Sequence, residues 1–185
     1  EDWYECSLLI KDNGNIVVSN FNSVVSFDSN GKQISSISVG DDSRIFGVFT
    51  SKGEDYVISE NYVSTLTSLQ RADYDKKSFE HVADLDFAIA GLDKGDDSCD
   101  AFLSTSDGIY AYTVADNSCT EVINWLNSDI DTNVNGTALC IDRDNIIIPY
   151  YDNASYESLV KYIKKVDEQT LEKINNKKNI RKYKY

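Results

Sequence analysis

The most constraining feature of the sequence is a unit of short strand-forming runs and turns that occurs four times. Each unit contains runs rich in Val, Ile, Ser, Thr and Tyr, separated by turns rich in Gly, Asn and Asp. The first turns of the units centre near Gly14, Gly53, Asp96 and Asp144, at steps of about 39, 43 and 48 residues. A period of this size with several strands per unit is typical of β-propeller blades.

The units extend over about residues 3–40, 44–85, 86–126 and 137–166. Their runs are apolar on both faces, as expected when both faces of a blade pack on neighbouring blades. The sequence therefore predicts an all-β domain over residues 1–166, built from about four four-stranded β-propeller-like blades, complete or part of a larger propeller. A β-sandwich also has short, regular strands and is the alternative, but the repeated order of turns favours the propeller.

The balance of charge changes sign near the end of the chain. Residues 1–160 carry 9 Lys/Arg against 28 Asp/Glu, whereas residues 161–185 carry 9 against 3. An acidic body repels phosphate groups, so we expect no nucleic-acid partner. The Lys- and Asn-rich residues 167–185 predict a basic linker or the start of a following segment.

Several features fit an exported protein. No stretch of 18 apolar residues is present to span a membrane, and the chain starts at Glu1 without an apolar signal core. This start is typical of a mature or excised chain, so we expect any membrane anchor to belong to a removed N-terminal segment.

The cysteines leave the redox state open. An even set fits disulfides in any of three connectivities, and free buried thiols fit equally well. The set consists of Cys6, Cys99, Cys119 and Cys140. It contains no C-x-x-C pair and the chain has one histidine, so a structural zinc site is not expected.

The sharpest local motif is a candidate calcium loop. A D-x-N-x-N-G pattern begins at Asp131 and has Asp142 at its twelfth position, which matches a loop whose alternate oxygen donors converge on Ca²⁺. The candidate ligands are Asp129, Asp131, Asn133, Asn135 and Asp142. The twelfth residue is shorter than the usual bidentate Glu, and a strand pattern rather than a helix follows. An Asx-rich loop between blades is the alternative, and calcium is the one cofactor that the sequence suggests.

The sequence indicates no catalytic constellation. His81 is the only histidine and no G-x-S-x-G motif is present, so a Ser-His-Asp triad is not expected. Alternation around His81 instead predicts an exposed position on an outer strand. We expect the acidic tract from Asp93 to Asp100 to be a solvated turn, and no two of the 31 acidic residues stand out as a glycosidase pair.

Two stretches carry a family resemblance. Residues 108–131, GIYAYTVADNSCTEVINWLNSDID, resemble a blade of the N-terminal propeller region of some Firmicutes extracellular solute-binding lipoproteins. Residues 159–173, LVKYIKKVDEQTLEK, resemble the Lys-rich exit segment of that region. The resemblance implies a lipid-anchored cell-surface parent, a non-enzymatic role, and a transport ligand pocket in a separate two-lobed domain. No ligand-binding residue carries over from it.

Together these features predict a non-catalytic binding or scaffolding module, extracellular or on a bacterial cell surface, attached to a solute-binding domain. An independent propeller that binds carbohydrate or protein is one alternative, and a glycoside hydrolase-like propeller enzyme is another. The expected partner is a small molecule, a glycan or a protein. Because four units leave open blade edges, we expect the chain to close on itself, to dimerise or to need further residues.

Overall fold

The structure, a computed structural model, describes residues 7–124 and the backbone of residues 140–142, 145–152 and 157–164. The regular structure in these residues is entirely β-strand, and it forms four antiparallel sheets. The all-β prediction is confirmed. Runs of β-branched residues account for it, since they suit the pleated surface of a sheet better than a helix.

Each sheet is a meander whose strands pair in chain order. Blade 1 consists of β1 (Ser7–Ile10), β2 (Ile16–Asn20), β3 (Ser23–Phe27) and β4 (Gln33–Ser38). Blade 2 consists of β5 (Ser43–Ser51), β6 (Glu54–Asn61), β7 (Leu66–Asp73) and β8 (Ser78–Leu85). Blade 3 consists of β9 (Gly91–Asp96), β10 (Cys99–Ser104), β11 (Gly108–Thr113) and β12 (Ser118–Asn124). Blade 4 includes β13 (Cys140–Asp142), β14 (Asn145–Asp152) and β15 (Glu157–Lys164).

The first strands of successive blades lie next to one another. β5 packs against both β1 and β9, and β13 lies beside β9. The remaining strands of each meander follow outward from this inner row in chain order. Radial repetition of small meanders around a row of inner strands is the arrangement of a propeller, which confirms the predicted fold.

Blade 2 shows why the strands are apolar on both faces. Along β6, Val57 is buried with the side chains of blade 1, whereas Tyr56 and Ile58 are buried with those of blade 3. On β5, Val48 belongs to the first core and Phe49 to the second. Successive side chains of a strand point to opposite faces, so the two inner strands of blade 2 stabilise two cores. Full burial of each such side chain contributes about 1.5–3 kcal/mol.

Short polar side chains close the turns between strands. Asp28 accepts hydrogen bonds at one oxygen from the backbone N–H groups of Asn30 and Lys32, both at 2.9 Å. Gly31, in the same turn, has a φ of +80°, which side chains disfavour. The turn chemistry that marks the units in the sequence therefore has the expected physical basis.

The start of blade 3 differs from the sequence prediction. The hydropathy pattern predicts a strand over residues 87–92 and a turn over residues 93–98, but β9 occupies Gly91–Asp96. Ile89 is buried in the core between blades 2 and 3 without belonging to a strand. Backbone pairing with β10 through Asp93 and Lys94 sets the strand bounds here, so hydropathy is a poor guide to them.

Blade 4 has three strands in the described residues, where the repeat predicts four. The place of a fourth strand after β15 lies outside the described residues. The domain end at residue 166 and the basic segment 167–185 lie outside them as well.

Candidate functional site: an axial cleft

A cleft opens where the inner strands of blades 1, 2 and 3 meet. Its volume is about 200 Å³. The lining residues come from β1, β5 and β9, and they are Ser7, Leu8, Leu9, Ile10, Val48, Leu92, Asp93 and Lys94. We call this space the axial cleft, because inner strands surround the axis of a propeller.

Ser7 fixes β1 against β5 at the cleft. Its hydroxyl lies 2.7 Å from the hydroxyl of Ser19 and accepts the backbone N–H of Val48 at 3.0 Å. Ser19 is 1% exposed, so this polar contact is held inside blade 1. A hydroxyl in such a network has a fixed orientation, which gives the cleft a rigid wall.

Gly47 allows three inner strands to converge. A Cβ at this position would lie 3.0 Å from Leu92 Cδ2 and 3.4 Å from Ser7 Oγ. A larger residue would therefore require the side chains of Leu92 and Ser7 to shift by a few tenths of an ångström. A local irregularity of β5 between Ile45 and Gly47 accompanies this close approach.

The cleft has more polar than apolar surface, and its lining includes one charge of each sign. Half-buried Leu9 and Leu92 supply apolar surface, while Asp93 and exposed Lys94 supply the charges. The Asp93 carboxylate accepts the backbone N–H of Lys94 at 2.8 Å, which holds it at the strand. Such a lining can contact an amphipathic ligand of small size through both apolar surface and hydrogen bonds.

A second polar cluster lies in the buried contact between blades 1 and 2. The Asp55 side chain is fully buried and its carboxylate forms an ion pair with Lys11 at 2.7 Å. The same carboxylate accepts hydrogen bonds from the hydroxyls of Thr50 at 2.9 Å and Tyr74 at 2.7 Å. Burial raises the pKa of Tyr74 well above its usual range, and the bond to Asp55 adds to this shift. Because these contacts join Lys11 of blade 1 to residues of blade 2, we assign this cluster to blade packing.

An aromatic surface lies at the opposite ends of the strands, near the turns after β2 and β6. The rings of Phe21 and Tyr62 stack with centroids 5.9 Å apart. The guanidinium of Arg44 lies 4.5 Å from the centre of the Phe46 ring and pairs with Glu60 at 2.9 Å. Tyr62 is 44% exposed. The stacked rings order the turns after β2 and β6, and the charged groups of Arg44 and Glu60 pair with each other.

The proposed calcium ligands cannot be compared with the structure. Asp129, Asp131, Asn133 and Asn135 lie outside the described residues. Asp142 is the last residue of β13, and only its backbone is described. Within the described residues, no group of three or more His, Cys, Asp or Glu side chains could hold a metal ion.

Two other positions singled out in the sequence are resolved by the structure. His81 lies on the outer strand β8, where its side chain is 58% exposed and 3.5 Å from Asp84, as predicted. The acidic tract from Asp93 to Asp100 forms the ends of two paired strands and a tight turn. In that turn Asp96 accepts the backbone N–H of Ser98 at 2.9 Å.

The sheet of blade 3 restricts the disulfide pattern. Cys99 on β10 and Cys119 on β12 are separated by β11. Neighbouring strands are about 4.8 Å apart, so the two Cα atoms are beyond the roughly 7 Å that a disulfide can bridge. Cys119 is a free thiol on an exposed residue, and desolvation of the sulfur raises its pKa to about 11.

Sequence reasoning missed the lining of the axial cleft. Its residues come from three units and are ordinary in type, so no local motif marks them. The signal available was the repeat itself, since the first strand of each unit faces the axis of a propeller.

Comparison with known proteins supports the fold. No protein-family model and no curated protein matches the chain. A protein of unknown function from Bacteroides caccae is 10% identical with a TM-score of 0.51, over 89% of this chain and 62% of that one. The extracellular domain of a proposed one-component system from B. thetaiotaomicron is 16% identical with a TM-score of 0.51, over 84% and 21%. An oligogalacturonate lyase in complex with manganese is 11% identical with a TM-score of 0.54, over 90% and 49%.

These similarities concern architecture. The lyase is propeller-like, in agreement with the sheets described above. The chain spans less than two thirds of each of these three solved structures. The resemblance to solute-binding lipoproteins stays a prediction.

Proposed function

We propose that this chain is an extracellular binding module of the propeller type, and that its ligand binds in the axial cleft without being chemically changed. The observation that carries the proposal is the cleft itself, at which three blades meet around Ser7, Val48 and Leu92. Ligand sites are commonly concave and combine apolar surface with a few fixed polar groups. Leu9 and Asp93 give the cleft both kinds of surface.

One observation supports a location outside the cell. One solved structure with this fold is an extracellular domain. No helix in the described part of the chain is long and apolar enough to cross a membrane. The resemblance to surface lipoproteins agrees with this location, and attachment to a solute-binding domain is part of the same proposal.

The ligand class follows from the size and polarity of the cleft. A volume of about 200 Å³ fits a single sugar ring or amino-acid side chain rather than a whole protein surface. Contacts with half-buried Leu9 and Leu92 suit the apolar face of a sugar or a side chain. Asp93 and Lys94 suit hydroxyl, amide or terminal charged groups. Short oligosaccharides and oligopeptides are therefore the first ligands to test.

The test is thermal unfolding of the chain with a panel of soluble glycans and oligopeptides. A ligand that binds only the native state raises the midpoint, with a stabilisation of about 2.7 kcal/mol at one hundred times Kd. Lys94→Ala changes an exposed side chain of the cleft, and we expect it to reduce the rise in midpoint that the ligand causes. Lys32→Ala, in the turn between β3 and β4, is the matched control and should leave it intact.

Two results would overturn the proposal. If no member of the panel raises the midpoint of thermal unfolding, the cleft is not the binding site for these ligand classes. If mass spectrometry of the same samples detects cleavage of an oligosaccharide, the chain is an enzyme and not a binding module.

A further inference from the structure

Lys94 differs from the other basic residues of 7–124, the range in which side chains are described. Eight Lys and Arg side chains lie in this range. Lys11, Arg44, Arg71 and Lys76 form ion pairs, and Lys32, Lys52 and Lys77 lie in turns between strands. Lys94, the eighth, is on β9 and lines the axial cleft, and it forms no ion pair within the range. The cleft therefore contains an ammonium group whose charge no described carboxylate balances.

The pairing of β9 with β10 shows which way Lys94 points. Lys94 lies opposite Ala101, and Leu92 lies opposite Leu103. Both partners are buried in the core between blades 2 and 3. Directly opposed residues of an antiparallel pair lie on the same face, so Leu92 and Lys94 both face blade 2. Residues two apart on a strand are separated by about 6.6 Å, so a small ligand can contact both side chains.

Asp93 lies between these two residues but on the other face of β9. Successive side chains of a strand point to opposite faces, and Asp93 lies opposite Phe102. The Asp93 carboxylate accepts the backbone N–H of Lys94 at 2.8 Å, so its contact with Lys94 is to the main chain and not to the ammonium group. On the blade 2 side of β9, the cleft therefore presents a positive charge beside the apolar side chain of Leu92.

We propose that the ligand of the axial cleft carries a carboxylate, which the Lys94 ammonium group binds while Leu92 contacts the adjacent apolar part of the ligand. This inference rests on the proposed function, because it concerns the ligand of the same cleft. Hydrogen bonds between an ammonium group and a carboxylate are about twice as strong as those between neutral groups. An acidic sugar and the terminal residue of a peptide both offer a carboxylate next to one ring face or side chain.

The charge of the protein favours a ligand with a single negative charge. Residues 1–160 carry 9 Lys/Arg against 28 Asp/Glu, and such an acidic surface repels polyanions. Lys94 is the one basic residue among the described residues that line the cleft, so it can balance one carboxylate. A phosphate ester carries about 1.5–2 negative charges at pH 7, and part of that charge would stay unbalanced. The volume of about 200 Å³ similarly limits the bound part to one ring or side chain.

The experiment is isothermal titration calorimetry of the full chain with two matched pairs of ligands. Methyl glucuronide is compared with neutral methyl glucoside, and N-acetylleucine is compared with its neutral amide. We expect an acid to bind about 10-fold more tightly than its neutral counterpart, and the pair that shows this preference identifies the source of the carboxylate. Raised ionic strength should reduce the preference, because the cleft is open to solvent.

Three variants show whether Lys94 causes the preference. Lys94→Gln removes the charge and should make the acid and its neutral counterpart bind alike. Lys94→Arg keeps the charge and should keep the preference. Lys32→Gln is the matched control, because Lys32 is an exposed lysine outside the cleft, and it should leave the preference unchanged. Circular dichroism shows whether each variant is folded, and the two ligand pairs with the wild-type chain decide the matter if one is not.

Equal affinities of the wild-type chain for acid and neutral ligand would overturn this inference, and the cleft would still be a binding site. A preference that folded Lys94→Gln retains would also overturn it, because another group would then bind the carboxylate. If neither acid binds, the inference fails, and the panel of glycans and oligopeptides described above then decides separately whether the cleft binds any ligand.

Discussion

At the scale of single residues, Asp55 links two blades through one carboxylate. Its side chain is fully buried and bonded to Lys11, Thr50 and Tyr74. Asp55→Ala would leave a largely buried ammonium and two hydroxyls without their acceptor. We expect the free energy of unfolding to fall by about 3–5 kcal/mol in urea titrations.

The control for Asp55 is an ion pair in solvent. Glu54, the preceding residue, pairs with Arg71 at 2.9 Å, but its side chain is 50% exposed. Solvent-exposed pairs contribute little, so Glu54→Ala should cause a much smaller loss. Equal losses for the two variants would show that the Asp55 cluster does not join the blades.

The raised pKa of Tyr74 predicts how the free energy of unfolding changes at alkaline pH. Burial and the hydrogen bond to Asp55 raise the pKa of its hydroxyl above the ordinary value of about 10. The unfolded chain therefore releases this proton first, so the stabilisation is complete below about pH 10 and is lost as the pH rises above it. Tyr74→Phe should reduce the fall in urea midpoint above pH 10. An unchanged pH dependence would contradict the assignment.

At the scale of strands, Gly108 determines how β11 pairs with β12. A Cβ at this position would lie 1.9 Å from the carbonyl oxygen of Ile123, a backbone atom that cannot turn aside. Gly108→Ala must therefore separate the two strands, at a cost of about 3 kcal/mol or more. Thermal unfolding measures the loss.

The comparison for Gly108 is a glycine in open space. Gly31 has a φ of +80°, and a Cβ added there would meet no atom within 4 Å. Asn tolerates this backbone conformation better than most residues, so Gly31→Asn should lose much less stability than Gly108→Ala. A neutral Gly108→Ala would mean that close strand approach does not set the pairing in blade 3.

The strands also show what the sequence can predict. Residues 78–85, SFEHVADL, form β8, and the alternation and flanking turns of this stretch are enough to predict its bounds from the sequence. β9 differs, because its Asp93 and Lys94 are polar and its bounds depend on pairing with β10. The axial cleft could not be predicted from a local pattern, because it brings together residues as far apart in the sequence as Ser7 and Leu92. They meet only when the blades are arranged around one axis.

At the scale of the whole molecule, blade 2 couples the stability of its neighbours. Phe49 is fully buried between blades 2 and 3, and the adjacent Val48 is buried between blades 1 and 2. β5 cannot leave one core without disturbing the other. We therefore expect the described blades 1 to 3 to open together rather than one by one.

Phe49→Ala tests this coupling, because it removes a side chain from the second core only. We expect a loss of about 3–5 kcal/mol, and native-state hydrogen exchange should show reduced protection in β2 and β3 as well as in blades 2 and 3. Val57→Ala, which acts on the first core, should reciprocally lower protection in β10 and β11. If exchange in blade 1 is unchanged in Phe49→Ala, the blades unfold independently, and each blade interface then determines the stability of its own pair alone.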